Sequence, residues 1–240
     1  MISVCMATYN GADYLAEQVE SILAQLRPGD ELLVSDDGST DSTLSILQSY
    51  GDRVRVVGTG RVGGVVPNFE RVLKAASGDV IMLSDQDDVW LPGRADRICQ
   101  ELVSADLVLT NAILVDAALR PVGRKLFDFL PPSTGVIKNL WRNSFVGCCI
   151  GFRRELLRGT FPFPTNTPWH DWLIGLLACS GRRVRIVETP FLLFRRHDNN
   201  ASATGKPSRS SLLRRLVLRL RIVRALGVCL WRGRLRGAVQ

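Results

Sequence analysis

Three carboxylates within four positions, Asp85, Asp87 and Asp88 in SDQDDVW, close an apolar run, VIMLS, of strand type. Acids that close repel one another, and a cation among them removes the repulsion. Side chains alternate along an extended chain, so Asp85 and Asp87 turn toward one point while Asp88 begins the next turn. Oxygen donors with no imidazole or thiolate beside them in sequence suit Mg²⁺ or Mn²⁺, preferably shared with phosphate oxygens. The plainer alternative is that the acids cap the helix that Pro92 opens. One carboxylate is explained that way; three after a buried strand are not.

Two more polar clusters follow apolar runs. Asp36 and Asp37 in SDDGSTD either accept hydrogen bonds from a base or ribose, or form a turn with a helix cap at Thr40 and Asp41. Thr8, Tyr9 and Asn10, ahead of Gly11, line a pocket or make a tight turn.

The elements that must carry these clusters alternate. Strand runs are expected at Ile2 to Thr8, ELLVS, RVRVVG, DVIMLS and ADLVLTN. Helical spacing runs through Leu15, Val19, Ile22 and Leu26 to a stop at Pro28, through Leu44, Ile46 and Leu47, from near Pro67 or Asn68, and from Pro92. Continuous apolar strands alternating with helices imply an α/β fold with a mainly parallel sheet covered on both faces. Ligands bind such sheets beyond the carboxyl ends of the strands, where all three clusters lie. Past Asn111, FVGCCIGF reads as a strand leading to a short helix, WHDWLIGLLACSG as a helix, and RVRIVETPFLLFRR as two edges joined by Glu188 to Pro190. ATGKPSRSS has linker composition. A helix from Leu212 to Trp231 collects Leu213, Leu216, Val217, Leu220 and Trp231 on one side.

Composition narrows the class. The 240 residues, 46% hydrophobic, suffice for one sizeable core. No run of about 18 uncharged apolar residues reads as a transmembrane span, and MISVCMATYN lacks the basic leader of a signal peptide, so a cytoplasmic protein is expected. The six cysteines form no CxxC pair and no zinc spacing with His170 and His197, and read as reduced core residues. The net charge of +8 is concentrated between Arg209 and Arg236, a segment without an acid. GTGRVGGVVPNF has neither GxGxxG order nor a Walker lysine, which disfavours a dinucleotide fold and a P-loop ATPase.

Together, MATYN, DDGSTD and SDQDDVWLP at this spacing resemble the family 2 nucleotide-diphospho-sugar glycosyltransferases, which have the GT-A fold. SDQDDVW with HDW and RRHDNNAS is most similar to the bacterial rhamnosyltransferase branch. The resemblance covers residues 2–205 and implies a catalytic domain over 1–205, with a nucleotide-sugar-binding half at 1–110 and an acceptor half at 111–205, followed by a basic amphipathic helix at 206–240. It implies that Thr8, Tyr9 and Asn10 line the nucleotide pocket, that Asp37 faces the base with Asp36 nearby, and that Asn68 and Arg71 lie near the donor. Gln86 and Trp90 flank the acids on the donor side. Asp87 is the implied direct metal ligand, with Asp85 on ribose or a metal-bound water. At Arg61-Val62-Gly63 the chain departs from the family pattern, which has an asparagine there.

Asp171 matches the family's catalytic base. An exposed aspartate is a weak base, and flanking Trp169 and Trp172 would desolvate and strengthen it; alternatively, Asp171 is a helix N-cap. The resemblance brings His197 to the diphosphate or the metal, the alternative being an ordinary hydrogen-bonded or surface histidine, and Arg195 and Arg196 carry charge that offsets a leaving diphosphate. The implied reaction is inverting, Mg²⁺- or Mn²⁺-dependent transfer of one sugar from dTDP-rhamnose or a UDP-sugar to a glycan or lipid-linked acceptor. The absence of QxxRW argues against a processive synthase, and the N-terminus lacks the glycine-rich basic signature of a sugar-nucleotide pyrophosphorylase. The basic tail either lies on the anionic inner face of the cell membrane or packs on protein. A rival reading makes it a nucleic-acid-binding arm on an inactive core.

Overall fold

The computed structural model describes residues 1–197 and 211–237. Four strands, β1 (Ile2–Thr8), β2 (Glu31–Asp36), β3 (Arg55–Gly58) and β4 (Val80–Ser84), run parallel in the order β3–β2–β1–β4. Strand β1 is buried almost throughout, which is why its sequence is apolar rather than alternating. The connecting helices are α1 (Ala12–Leu23), α2 (Thr43–Ser49), α3 (Val65–Ala75) and α4 (Arg94–Leu102).

The second half adds β5 (Val89–Trp90), β6 (Leu107–Val115), β7 (Pro121–Lys125), β8 (Ile150–Arg153) and β9 (Val184–Arg195). Its helices are α5 (Leu126–Phe129), α6 (Val136–Trp141), α7 (His170–Cys179) and α8 (Leu212–Gly237). Strand β8 enters antiparallel between β4 and β6, so β6 and β9 run in the direction of the first four strands. The sheet is therefore mainly parallel, with β5 and β7 reversed on β9 and β6.

Several boundaries differ from the sequence reading. Helix α1 stops at Leu23 rather than Leu26, because Pro28 disfavours a helical residue before it and Asp30 takes the Arg27 N–H at 3.0 Å. Helix α3 starts at Val65, so Pro67 sits in its first turn, where a missing N–H costs nothing. Pro92 precedes α4, whose N-cap is Gly93 at φ 80°, and the residues before it form strand β5 instead of a cap. In FVGCCIGF only Ile150 onward is strand; Gly147–Cys149 is a 3₁₀ turn. The two expected edges from Val184 are one strand, whose register against β6 shifts near Asn111 and Pro190 as at a β-bulge.

Helix α8 packs on the domain through Ile222, Ala225, Leu226 and Cys229. A Cβ on Gly159 would lie 2.6 Å from Gly233 N, so the chains meet there backbone to backbone. The linker read at 203–210, and the RRHDNNAS motif beyond His197, lie outside the described residues.

Candidate active site

Strands β1, β2 and β4 end side by side: Thr8 pairs with Asp36, and Met6 with Ser84. With β2 on one side of β1 and β4 on the other, the chain reverses winding there, and a crevice opens at the carboxyl ends. All three polar clusters meet at this edge.

Most of their polar groups hold loops. Thr8 Oγ1 donates to Asp36 Oδ2 at 2.8 Å, and Asp36 Oδ1 accepts the Gly38 and Ser39 N–H groups at 3.0 and 2.8 Å. Asn10 Oδ1 accepts the Thr40 N–H at 2.8 Å. Asp41 caps α2 at Thr43 N (3.0 Å) and reaches Ala12 N (3.1 Å), so the expected cap falls to Asp41 alone. The side-chain amide of Gln86 brackets Tyr9, accepting its N–H at 2.8 Å and donating to its carbonyl at 3.0 Å. A Cβ on Gly11 would lie 2.3 Å from Gln86 Cδ, so only glycine lets the two loops approach this closely.

These contacts show what else the expected donor set holds. Asp36 is fully buried and saturated by its own turn. Asn68 is buried, donating to the Thr8 carbonyl at 3.1 Å and accepting from Ser35 Oγ at 2.6 Å. Arg71 bonds Ser35 Oγ and the carbonyls of Asp36 and Gly60. Trp90 is 3% exposed, packed in the core with the Arg94 guanidinium 4.8 Å from its ring. The sequence reading sent Thr8, Asp36, Asn68, Gln86 and Trp90 toward the ligand; the first four also bond the loops that shape the crevice, and Trp90 is buried. Tyr9, in contrast, is 52% exposed at its rim. Asp37 accepts the N–H groups of Val62, Gly63 (3.0 Å) and Gly64 (2.7 Å). Burial raises its pKa, but those donors and Arg71 outweigh it and leave the carboxyl below its ordinary value.

The acid loop departs from strand geometry at Asp85, so alternation fails and Asp85 groups with Asp88. Ligand atoms of Asp85, Asp88 and Cys148 all lie within 4.8 Å of one another. Asp87 turns to His197, with Oδ2 and Nε2 2.8 Å apart. The expected Asp85–Asp87 pair is thus not side by side in strand fashion, although Asp87 exerts the strongest charge effect on Asp85. Burial, then Asp87 and Asp171, push Asp85 up to about 7. Burial, then Asp87 and Asp85, raise Asp88 well above its usual range; its Oδ1 accepts the Arg195 N–H at 3.0 Å and its Oδ2 has no hydrogen-bond partner. Cys148, read as a core cysteine, faces this cluster. An orphaned carboxylate oxygen among mutually repelling acids fits a divalent cation, with the clustered Asp85 and Asp88 as oxygen donors and the Asp87–His197 pair beside them in the loop.

Arg195 pins the loop. Buried over the Tyr14 ring at 4.5 Å, it donates from Nε to the Asp87 carbonyl at 2.7 Å and pairs with Glu17. It serves structure, and its anchorage brings His197 to Asp87. Arg196 is partly buried, its pKa lowered by that burial against the pull of Asp87 and Asp88, and its Nη1 has no hydrogen-bond partner. Gln18, on the buried face of α1, donates to Ser84 Oγ (2.8 Å) and the Asp85 carbonyl (3.0 Å), a support the helical pattern did not single out.

Across the crevice, Trp169 is the N-cap of α7 and Asp171 its second residue, which sets aside the N-cap reading. Asp171 Oδ2 accepts the Gly147 N–H at 3.1 Å, and Oδ1 the Trp172 N–H at 2.7 Å. Each oxygen keeps a lone pair. Burial pushes Asp171 up to about 6 despite those two donors. Trp172 is buried with its indole N–H on the Asn139 carbonyl at 2.9 Å. His170 is buried flat on Phe69, ring centroids 3.8 Å apart, and burial drives it down to about 3, so it is neutral.

This sheet with its crevice is the GT-A fold of nucleotide-sugar transferases. Residues 1–349 of S. aureus TarS, solved in complex with UDP-GlcNAc, superpose with a TM-score of 0.69 at 21% identity over 92% of this chain and 66% of that one. The mannosyltransferase PcManGT from Pyrobaculum calidifontis, in complex with GDP-Man and Mn²⁺, does so at 0.61 and 18% over 100% and 75%. Residues 3–161 match the model for Glycosyl transferase family 2, and the chain belongs to that family and is a glycosyltransferase. A dTDP-rhamnosyl transferase, RfbG of Shigella flexneri, is 30% identical over 81% of this chain and 72% of its own.

Proposed function

We propose that the chain is an inverting, metal-dependent transferase that moves one sugar from a nucleoside-diphosphate sugar to a hydroxyl of a bacterial surface glycan or a lipid-linked acceptor. The observation that carries the reading is the placement of a single raised-pKa carboxylate, Asp171, opposite an acid cluster with a raised pKa of its own, the two joined through consecutive residues Gly147 and Cys148.

In this reading Asp85, Asp87, Asp88 and His197 hold Mg²⁺ or Mn²⁺, and a bound ion offsets the charge on the departing diphosphate. Arg196 adds positive charge on the same side. Tyr9 and Asp37 face the nucleoside. Asp171 takes the proton of the acceptor hydroxyl as its oxygen bonds to the anomeric carbon and the bond to the diphosphate oxygen breaks. One displacement inverts configuration, and no carboxylate nucleophile is needed. The donor sugar is rhamnose from dTDP-rhamnose, supported by the SDQDDVW branch resemblance and the Shigella relative, with a UDP-sugar as the competing donor. The protein works on the inner face of the cell membrane, held there peripherally by its basic helix. A nucleic-acid role on an inactive core finds no support beside the glycosyltransferase family match.

The test is release of nucleoside diphosphate from a panel of nucleotide sugars with Mn²⁺ or Mg²⁺, for the wild type, Asp87→Asn and Asp171→Asn. Turnover of one donor, lost on chelation and in both variants, is expected. Turnover that ignores chelation, or that survives Asp171→Asn, refutes the mechanism.

A further inference from the structure

Helix α8 is apolar on two opposite sides. Leu218, Ile222, Ala225 and Cys229 recur at three- and four-residue steps and pack on the domain. Leu216, Leu220 and Val223 form a second series with the same steps, and the two are offset by two residues, about 200° around a helix. The second series faces solvent: Leu216 is 53% and Leu220 62% exposed, and Leu213 and Trp231 are exposed with them. The sequence pattern picked out this outer side; the structure shows that the inner one does the packing.

Helix α6, packed beside α8, is also apolar on its exposed side: Ile137 is 84% and Trp141 74% exposed. Arg219 joins the two helices: its Nη2 donates to the Trp141 carbonyl at 2.8 Å, and its guanidinium lies 4.5 Å from the Trp141 ring. Between them runs a groove of about 820 Å³, lined by Val136, Ile137, Leu140, Trp141 and Arg219 among others. A helix apolar on both sides is stable only when both are covered.

We infer that this surface, the outer side of α8 with Ile137 and Trp141, docks in the headgroup region of an anionic lipid bilayer. Charge selects the occupant. Helix α8 carries eight arginines and no acid, so two copies meeting through it would set like charges face to face, whereas anionic headgroups complement them. Leucine and tryptophan beside arginine is the composition of helices that lie in a bilayer interface. Resting on the proposed transferase reading, the same surface defines the acceptor as membrane-embedded. Trp172, the neighbour of Asp171, is bonded to α6 through Asn139, so the base lies one helix in from the docking surface.

Flotation of the full chain with phosphatidylcholine vesicles, with and without phosphatidylglycerol, tests this. Binding to the anionic vesicles, weakened by salt and at least tenfold lower for Leu216→Glu/Leu220→Glu with an unchanged melting temperature, is expected. An Ile137→Ser/Trp141→Ala variant, which leaves the sequence of α8 unchanged, loses binding too, again at an unchanged melting temperature. Wild type that ignores anionic vesicles, variants that float like wild type, or light scattering showing a dimer that the leucine changes dissociate would each overturn it. Donor hydrolysis measured in parallel without lipid separates the two ideas: hydrolysis without flotation sinks the docking surface alone, and flotation without hydrolysis sinks the transfer mechanism alone.

Discussion

The Gly147 N–H donates to Asp171 Oδ2 at 3.1 Å, and the thiol of the following residue, Cys148, faces Asp85 and Asp88. Two consecutive residues of one 3₁₀ turn thus fix Asp171, the proposed base, relative to the Asp85–Asp88 acids. In the proposed mechanism, proton removal by Asp171 is an interaction made in the transition state. Asp171→Asn keeps the shape and removes the proton acceptor, so kcat should fall by about 10²–10⁴, with donor affinity unchanged. Titration calorimetry with the donor and Mn²⁺ beside steady-state turnover checks the split; a loss of donor affinity equal to the loss of kcat would make Asp171 a binding residue.

The same carboxyl predicts the acid limb of the pH profile. Asp171 is held up at about 6 by burial, and only its ionised form accepts a proton, so turnover should climb as pH rises through about 6 and then level off. In Asp171→Glu the limb should shift while the plateau drops. A wild-type profile flat from about pH 5 to about pH 8 would contradict the assignment.

Stability should respond to pH in the opposite sense. Asp85 is raised to about 7 and Asp88 is also raised, from an ordinary aspartate value of 3.8 in each case. A carboxyl raised on folding stabilises the folded chain while protonated, and that stability is lost as pH climbs through its folded pKa. Without metal, the melting temperature should decline as pH passes from mildly acidic to mildly alkaline. Added Mn²⁺ should restore more at the alkaline end, where it does not compete with protons. Asp88→Asn should flatten the metal-free decline. Scanning calorimetry with and without chelator reads all three.

How much of this was legible in the sequence depends on what each residue type reveals. Continuous apolar runs ending in TYN, DDGS and SDQDD marked the three strand ends at the crevice, because burial on both faces leaves an unmistakable pattern. Whether a polar side chain there faces ligand or loop is not written in its type: Asp36, Asn68 and Gln86 have donor-binding chemistry and spend it on backbone groups of neighbouring loops. The Asp85–Asp88 grouping escaped because alternation was carried one residue too far past Ser84. Cys148 escaped because its partners come from β4's end, distant in the chain and adjacent only after β8 inserts antiparallel. A glycine just before Cys148, packed 3.3 Å from His170 Nε2 by its virtual Cβ, was the one local hint of a close approach.

The bracket between Gln86 and Tyr9 gives the sharpest structural test. Gly11 has φ −110°, which alanine adopts freely, so Gly11→Ala costs through contact with Gln86 and not through backbone strain. Forcing the amide aside should cost about 1–3 kcal/mol and raise the donor KM, since the rim residue Tyr9 loses its anchor. Gln86→Ala alone removes two hydrogen bonds, about 1–3 kcal/mol together. In the double variant the clash has gone along with the amide, so the two losses should add to clearly less than their sum, a coupling on the order of 1 kcal/mol. Chemical denaturation of the four proteins measures it. Strict additivity would mean that the two loops are held together by something other than this contact.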